Sequence, residues 1–411
     1  MVDPFLPDAE KLTAVRAALP ALGAGIYLNT GSVGPLPAET AAAMAEAAIR
    51  ERDVGRGHPA DVPMIFERMA EARAGVAAVL GTDPSCVALT HATTDGMNVA
   101  TAVPDWRRGG RAVTTRHEHP AGIGPLVAIR ERAGVDVAIL DAGDDGDDER
   151  TVAAFDAAIV PGTTLVSFSH VAWTTGAVLP VARIAEIAHA RGALVVVDGA
   201  QAAGAIPFRV DELGADLYAL PAQKWLLGPE GMGALVVAPS VLDRIPPLAG
   251  FFSFERIDGS GDAAWWPTAR RFEASAYHRP SVLGMARSIG WLSMFVGLDF
   301  VFRRGPAAAA AVAARLAAIP GVTVLTPSDR MATLVTFRIE GWPAQAALDE
   351  LSARIFLIGR TIPSLDALRL SVGFFSSDKE LERVATAVEL LAAHTPATLP
   401  PRPGLTILDG A

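Results

Sequence analysis

The 411-residue chain contains one cysteine, Cys86, so no internal disulfide can staple it. A single free thiol suits a reducing compartment, and the cytoplasm is the expected location. Aromatic residues make up only 6% and charged residues 19%, whereas 51% is hydrophobic. That balance excludes a disordered chain and leaves enough apolar surface for a large core. Basic charge is in short supply: 35 Lys and Arg against 45 Asp and Glu leave a net charge of −10. With no long Lys/Arg cluster, nucleic acid and anionic membrane surfaces are not expected partners. No charged segment followed by an apolar one opens the chain, so no signal peptide is expected. The longest stretch free of Asp, Glu, Lys and Arg, Ala157–Ala182, contains Pro161, Gly162, His170 and Pro180 and does not read as a membrane span.

Lysine is the scarcest charged residue, with three copies against 32 arginines. Lys11 and Lys379 stand beside acidic residues, in segments that read as solvated helix. Lys224 stands instead among apolar, Pro and Gly residues, in Leu-Pro-Ala-Gln-Lys-Trp-Leu-Leu-Gly-Pro. An arginine cannot shed its proton near neutral pH, whereas a partly buried lysine can, and then serves as a nucleophile.

Between residues 85 and 240, short β-rich runs alternate with helical stretches. Strands are expected at Val87–Thr90, Ala112–Thr114, Asp136–Leu140, Thr164–His170, Ala193–Asp198, Asp216–Leu220 and Gly233–Ala238. Leu194–Val197 is continuously apolar and Leu165–Phe168 is broken only by Ser167, as in strands buried on both faces. Helices such as Pro120–Arg132 and Val181–Arg191, the latter with Gly192 as a C-terminal cap, fall between them. The alternation predicts an α/β fold with a mostly parallel sheet covered on both faces. The run Asp141–Arg150, with six carboxylates, reads as a solvated loop because calcium-loop spacing is missing. Beyond residue 280 the pattern changes. Ser281–Val301 reads as one helix and alanine-rich Gly305–Ile319 as another. Strands near Val322–Leu325, Ala332–Arg338, Ile355–Ile358 and Ala367–Val372, then a helix at Asp378–Ala393, complete a smaller α+β unit. The expected division is an N-terminal segment 1–20, a large domain 21–280, a small domain 281–395 and a loose tail 396–411.

In open parallel sheets, ligands bind beyond the carboxyl ends of strands. The first strand leads into His-Ala-Thr-Thr-Asp-Gly-Met-Asn at 91–98, where hydroxyls at a helix start form either a phosphate site or an ordinary Thr cap. The next leads to Arg-His-Glu-His-Pro at 116–120. Its two histidines lack a third metal ligand at a usual spacing, and His119 is suited to stack on a flat ring. Asp198 ends a buried strand and needs a cationic partner, either a protonated heterocycle nitrogen or a structural arginine. Lys224 follows 26 residues later, before the glycine-rich Gly228–Gly233 turn. Their order on successive strands, helix start, histidine, carboxylate and lysine, outweighs any one of them.

On these residues the sequence resembles fold-type-I pyridoxal-5′-phosphate (PLP) enzymes of the class V aminotransferase group, in the branch with isopenicillin N epimerase, cysteine desulfurases and selenocysteine lyases. The resemblance spans roughly residues 25–395. Its most specific segments are Val-Val-Val-Asp-Gly-Ala-Gln at 195–201 and Gln-Lys-Trp-Leu-Leu-Gly-Pro-Glu-Gly-Met-Gly at 223–233. It implies a seven-stranded, mostly parallel sheet with a smaller C-terminal domain. It implies that Lys224 carries PLP as a Schiff base, that Asp198 keeps the pyridine nitrogen protonated, and that Gln201 meets the ring hydroxyl oxygen. His119 would stack on the ring, Thr93, Thr94 and nearby Asn98 would take the phosphate, and Gln223 and Ser275 would adjoin the cofactor. Arg369, in Leu-Arg-Leu-Ser-Val-Gly, would clamp the substrate carboxylate, with Arg360 and Asn29 as further substrate contacts. Arg56 and the segment Phe272–Ser275 match stretches that cross a dimer interface, so a homodimer is implied.

Three departures stand out. Many relatives have Ser-x-His before the lysine, but here Pro221-Ala222-Gln223 precedes it. Ala276 stands where desulfurases have a partner-chain Thr, with Ser275 or His278 as substitutes, and Trp173 where many have Asn. The implied activity is PLP chemistry on an amino acid, with Lys224 as base for the Cα proton. Cβ–S cleavage is the leading outcome, with transamination and epimerisation as alternatives and an inert PLP-fold scaffold as the alternative of another class. A metal hydrolase using His117 and His119 ranks lower.

Overall fold

The computed structural model describes residues 6–59, 61–102, 104–106, 109–246 and 250–402. Seven strands form the main sheet: β1 (Val87–Thr90), β2 (Arg111–Thr115), β3 (Asp136–Leu140), β4 (Thr163–Ser169), β5 (Leu194–Asp198), β6 (Leu217–Pro221) and β7 (Gly233–Val237). All seven lie where the hydrophobic runs place them. Their spatial order is β1-β7-β6-β5-β4-β2-β3. Only β7 runs against its neighbours; β3, β2, β4, β5 and β6 pair in parallel. β5 and β6 are buried at every residue because helices cover both faces, whereas edge strand β3 leaves Ile139 47% exposed. The helix Pro120–Ala133 starts cleanly because Pro120 occupies its first turn and the His119 side chain accepts the Ala121 N–H. After Val181–Ala190, Gly192 takes a φ of 78°, the left-handed backbone that suits glycine past a helix end.

The smaller sheet has the order β8 (Val322–Val324), β9 (Leu334–Ile339), β11 (Ala367–Ser371) and β10 (Arg360–Ile362). The strand expected at Ile355–Ile358 is shorter and sits elsewhere. Leu357–Ile358 pairs in parallel with Ile26–Tyr27 from the N-terminal part of the chain. β10 has no counterpart in the sequence reading, because Arg-Thr-Ile is too short to show a periodicity. Ile26 and Leu28 pack into the core of this sheet beside Val335, Leu351 and Leu370, while Val15 and Leu19 are buried with the large sheet.

The single helix expected at Ser281–Val301 is instead Arg279–Gly290 followed by a π-helical turn, Trp291–Val296. Gly297 (φ 87°) then breaks the chain, and Leu298–Ala317 departs at 86°. That second helix runs unbroken through Gly305 and Pro306, where a new helix start was expected. No single described helix is long and apolar enough to cross a membrane. Lys11 is also not solvated: it is buried, with its ammonium 5.4 Å from the centre of the Phe300 ring. The acidic run forms a turn with Asp147 capping helix Asp148–Ala158. Part of the tail, 403–411, lies outside the described residues.

Candidate active site

A cavity of about 220 Å³ opens where β5, β6 and the turn after β1 meet the small sheet. Thr93, Thr94, His119, Asp198, Gln201, Gln223, Lys224, Arg360 and Arg369 all line it. These side chains are up to 276 positions apart in sequence (369 − 93).

Asp198 ends β5, directly opposite Ser169 of β4 and Ala219 of β6. The next residue must be glycine: a Cβ at Gly199 would lie 2.0 Å from the Tyr218 ring. Among the described residues the Asp198 carboxylate takes one hydrogen bond, from the Ala200 N–H at 2.9 Å. Burial raises its pKa, and the charge of Lys224 works against that rise. Burial in turn lowers Lys224 to about 8; Asp198 resists, and Arg369 and Arg360 add to the fall. The lysine follows Gln223, whose carbonyl accepts the Gly34 N–H at 2.6 Å. It precedes Leu227, a non-glycine residue held at φ 52°. A strained residue three positions from Lys224 fits a backbone tuned for a site rather than for stability.

His119 is pushed down to about 4 by burial and then by Lys224, Arg360 and Arg369, so its ring is neutral. Its Nδ1 accepts the Ala121 N–H at 3.1 Å, which leaves the proton on Nε2. Trp173 stands edge-on to it, ring centres 5.2 Å apart at 82°. Sequence reasoning missed Glu118, because a charged residue in a histidine-rich loop reads as solvated. Glu118 is buried, each carboxyl oxygen meeting one hydroxyl at 2.6 Å, from Thr115 and from Ser169. Burial raises it to about 7 against those hydrogen bonds, and nearby Asp198 adds to the rise.

Thr93 begins helix Thr93–Ala102, and its buried hydroxyl has no partner among the described residues. The Gln223 Oε1 is likewise buried and unpaired. Arg369 is fully buried; its Nη1 donates to the Trp173 carbonyl at 2.7 Å, while Nε and Nη2 have no partner among the described residues. Burial and then Arg360 lower it to about 9. Arg360 donates to Ser32 Oγ at 3.2 Å, and Ser32 donates to Asn29 Oδ1 at 2.8 Å. Asn29 therefore stands behind Ser32 and does not line the cavity. Gly31 and Ser32 do line it, and Gly31 also allows a close approach: a Cβ there would lie 2.8 Å from Ser371 Oγ. Nothing in the sequence marks these two, since their partners lie far along the chain.

Two other candidates stay out of the cavity. Asn98 is exposed and donates to the Thr94 carbonyl at 2.9 Å, one helical turn below the phosphate-type start. Ser275 is exposed, just beyond Phe272 and Glu273, which are buried. The Glu273 carboxylate pairs with Arg73 at 2.7 Å and accepts the Leu89 N–H at 3.0 Å, so that half of the segment holds its own chain together. His117 turns away from His119 and bonds Thr174 Oγ1 at 2.8 Å. It groups with Asp141 and Asp144; Arg116 pairs with Asp141 at 2.8 Å, whereas Arg150 lies 3.6 Å from Asp144, whose Oδ1 has no hydrogen-bond partner among the described residues.

The family model for aminotransferase class V matches residues 26–358. The chain is 31% identical to isopenicillin N epimerase of Streptomyces clavuligerus, over 90% of this chain and 95% of that protein. It is 28% identical to a probable cysteine desulfurase of Methanothermobacter thermautotrophicus, over 92% and 97%. Its fold superposes on the cystine C–S lyase C-DES, solved with its reaction product cysteine persulfide, with a TM-score of 0.84 at 25% identity, covering 90% of this chain and 99% of that one. A variant of C-DES with glycine covalently linked to its PLP cofactor gives a TM-score of 0.85 at 25% identity, over 91% and 98%. With the strand-end carboxylate and lysine in one cavity and the family model spanning most of the sequence, the chain belongs to the class V aminotransferase family of PLP-dependent enzymes.

Proposed function

We propose that the protein is a PLP-dependent lyase that cleaves the Cβ–S bond of an amino-acid substrate without using a protein thiol. The observation that carries this reading is the place of the only cysteine. Cys86 is 6% exposed, in a short 3₁₀ turn ahead of β1, packed in the large core and absent from the cavity lining. A buried thiol of this kind packs as a small hydrophobe and does not accept sulfur. The stretch before Arg369 holds no cysteine either. It is a tight connection in which β10 and β11 are joined through Pro363–Leu365. The likeness to the C–S lyase C-DES supports direct elimination.

The cavity fits the cofactor by its donors. The unpaired Thr93 hydroxyl at a helix start suits the phosphate, the buried Asp198 carboxylate suits a pyridinium, and Lys224 suits the covalent link. When bound, PLP supplies an electron sink that acidifies the substrate Cα–H. Arg369 then holds the substrate carboxylate through Nε and Nη2, which are free for a bidentate contact. Lys224 Nζ, lowered to about 8, has an appreciable neutral fraction at physiological pH and takes the Cα proton. The released electron pair forms a Cα=Cβ bond as Cβ–S breaks, and the sulfur leaves as a thiolate or persulfide. His119, neutral and fixed by the Ala121 N–H, walls one side of the cavity with Trp173.

Epimerisation is the second reading, favoured by the 31% identity to isopenicillin N epimerase. Both share the Cα proton transfer, so products decide. Incubation with cystine and other sulfur amino acids should give equal pyruvate and ammonia, with full activity in Cys86→Ser. Inverted substrate, or a persulfide mapped to Cys86 in a protein that Cys86→Ser inactivates, would overturn the proposal.

A homodimer completes the reading. Ile49, Met64, Phe66 and Phe251 are 41–81% exposed, on the helices Ala38–Val54 and Asp61–Leu80 and the loop before Phe254. Apolar exposure on this scale suits a subunit interface, and Ser275 would then face the partner's site. Light scattering at twice the chain mass tests it. The cytoplasm, where a lone thiol stays reduced, is the proposed compartment.

A further inference from the structure

Trp225, the residue after the lysine, is buried among Val171, Ala202, Ala205 and Leu334. Its indole Nε1 donates to Gln201 Oε1 at 3.0 Å. At the other end of the same amide, Gln201 Nε2 donates to the Gly31 carbonyl at 2.8 Å. Both partners are one-sided: an indole N–H can only donate and a carbonyl can only accept. A flipped amide would set donor against donor and acceptor against acceptor, so its orientation is chemically determined. An amide nitrogen carries two N–H bonds. Gly31 takes one, and the second remains for the cavity that Gln201 lines.

We propose that Trp225 is a positioning residue for the cofactor: its indole N–H locks the Gln201 amide so that a donor, and not the carbonyl, faces the ring oxygen of PLP. This rests on the reading that Gln201 meets that oxygen. Gly31 holds only the donor end of the amide, whereas buried Trp225 holds the acceptor end. Without the indole, Gln201 Oε1 would be left buried and unpaired, and the amide would turn or withdraw to satisfy it. A donor on the ring oxygen stabilises its negative charge, so the bound cofactor releases its proton at a lower pH than it would without that donor.

The test is a spectrophotometric pH titration of the PLP-loaded enzyme. Trp225→Phe keeps the ring and loses the N–H, and should raise the midpoint of the visible absorbance change by about one pH unit, the size of one hydrogen bond to a charged group. Gln201→Leu should raise it similarly, and the double variant should move it no further than either single one. An unmoved midpoint in Trp225→Phe beside a shift in Gln201→Leu, or additive shifts in the double variant, would overturn the proposal. Unmoved midpoints in both would show that Gln201 does not meet the ring oxygen, and the proposal would fall with that reading. If Trp225→Phe does not hold PLP at one per chain, 3-benzothienylalanine at position 225 keeps the shape of the indole, loses only the N–H and should raise the midpoint as Gln201→Leu does. An unmoved midpoint would overturn the assignment.

Discussion

Arg360 and Arg369 face each other as direct register partners on antiparallel strands β10 and β11. Like charges placed opposite one another in a sheet repel. Arg369 is also fully buried, and neither guanidinium has a carboxylate partner among the described residues. A protein that leaves two cations unpaired beside a cavity stores binding energy for an anion. Under the proposed function, the substrate carboxylate is that anion.

Arg369→Met should therefore separate binding from stability. Removing one partner of a buried charge contact costs about 2–5 kcal/mol, so KM should rise ~30-fold or more. The apoprotein should unfold at the same or a higher temperature, because an unpaired buried charge is gone. The absorbance of bound PLP should stay as in the wild type. A fall in apoprotein Tm with unchanged KM would assign Arg369 to structure.

Lys224 should capture PLP with a pH dependence set by its depressed pKa. The neutral amine is the reactive form, and its fraction passes one half near pH 8 instead of near 10.5. Borohydride-fixed label on the Lys224 peptide should rise between pH 7 and 9 and then level off. Lys224→Ala and Lys224→Arg should fix none, the latter because guanidinium stays protonated. A midpoint above pH 10 would show that the lysine is solvated.

Asp198→Asn removes the charge that would face a pyridinium and keeps the shape. Cofactor binding should weaken about 10- to 100-fold, matching about 1.5–3 kcal/mol for a hydrogen bond to a charged group. Turnover with bound PLP should fall further still. Equilibrium dialysis and single-turnover measurement check both, and wild-type values in either would make Asp198 a structural residue.

Glu118 should impose a pH dependence on folding. Its carboxyl binds a proton more tightly folded, near 7, than unfolded, near 4.5. The stabilisation is complete below about pH 4.5 and is lost as pH rises through 7, on the order of 3 kcal/mol in total. Glu118→Gln stays neutral throughout. In the apoprotein, the drop in urea midpoint from pH 5 to pH 8 should be larger in the wild type than in Glu118→Gln. Equal drops would show that Glu118 is already ionised at pH 5.

The seven main strands were legible because each is a short apolar run bounded by polar or glycine residues, as in Leu-Val-Val-Val-Asp at 194–198. Lys224 and Asp198 were legible because a lone lysine in an apolar setting and a carboxylate at a buried strand end both break local rules. Helix Ser281–Val301 was misread because its periodicity continues through Gly297, whose backbone turn carries no hydrophobic signal. Lys11 was misread because a lysine beside a glutamate looks solvated, while its burial comes from Phe300, 289 positions away (300 − 11).

The sequence by itself determined the architecture and the reagents: a covered parallel sheet, a lysine able to lose its proton, a carboxylate, and arginines for an anion. Those follow from local pattern and side-chain chemistry, which need no contacts to be read. Tertiary structure alone decided what each reagent is set to do. The pairing of Arg360 with Arg369, the shift of Lys224 to about 8 and the burial of Glu118 arise from charges and dry surroundings supplied by distant segments. Gly31 and Trp225 reach Gln201 across 170 and 24 positions, and hydrogen-bond direction at that separation leaves no trace in local sequence. Electrostatics and amide orientation depend on distances in space, and those exist only once the chain has folded.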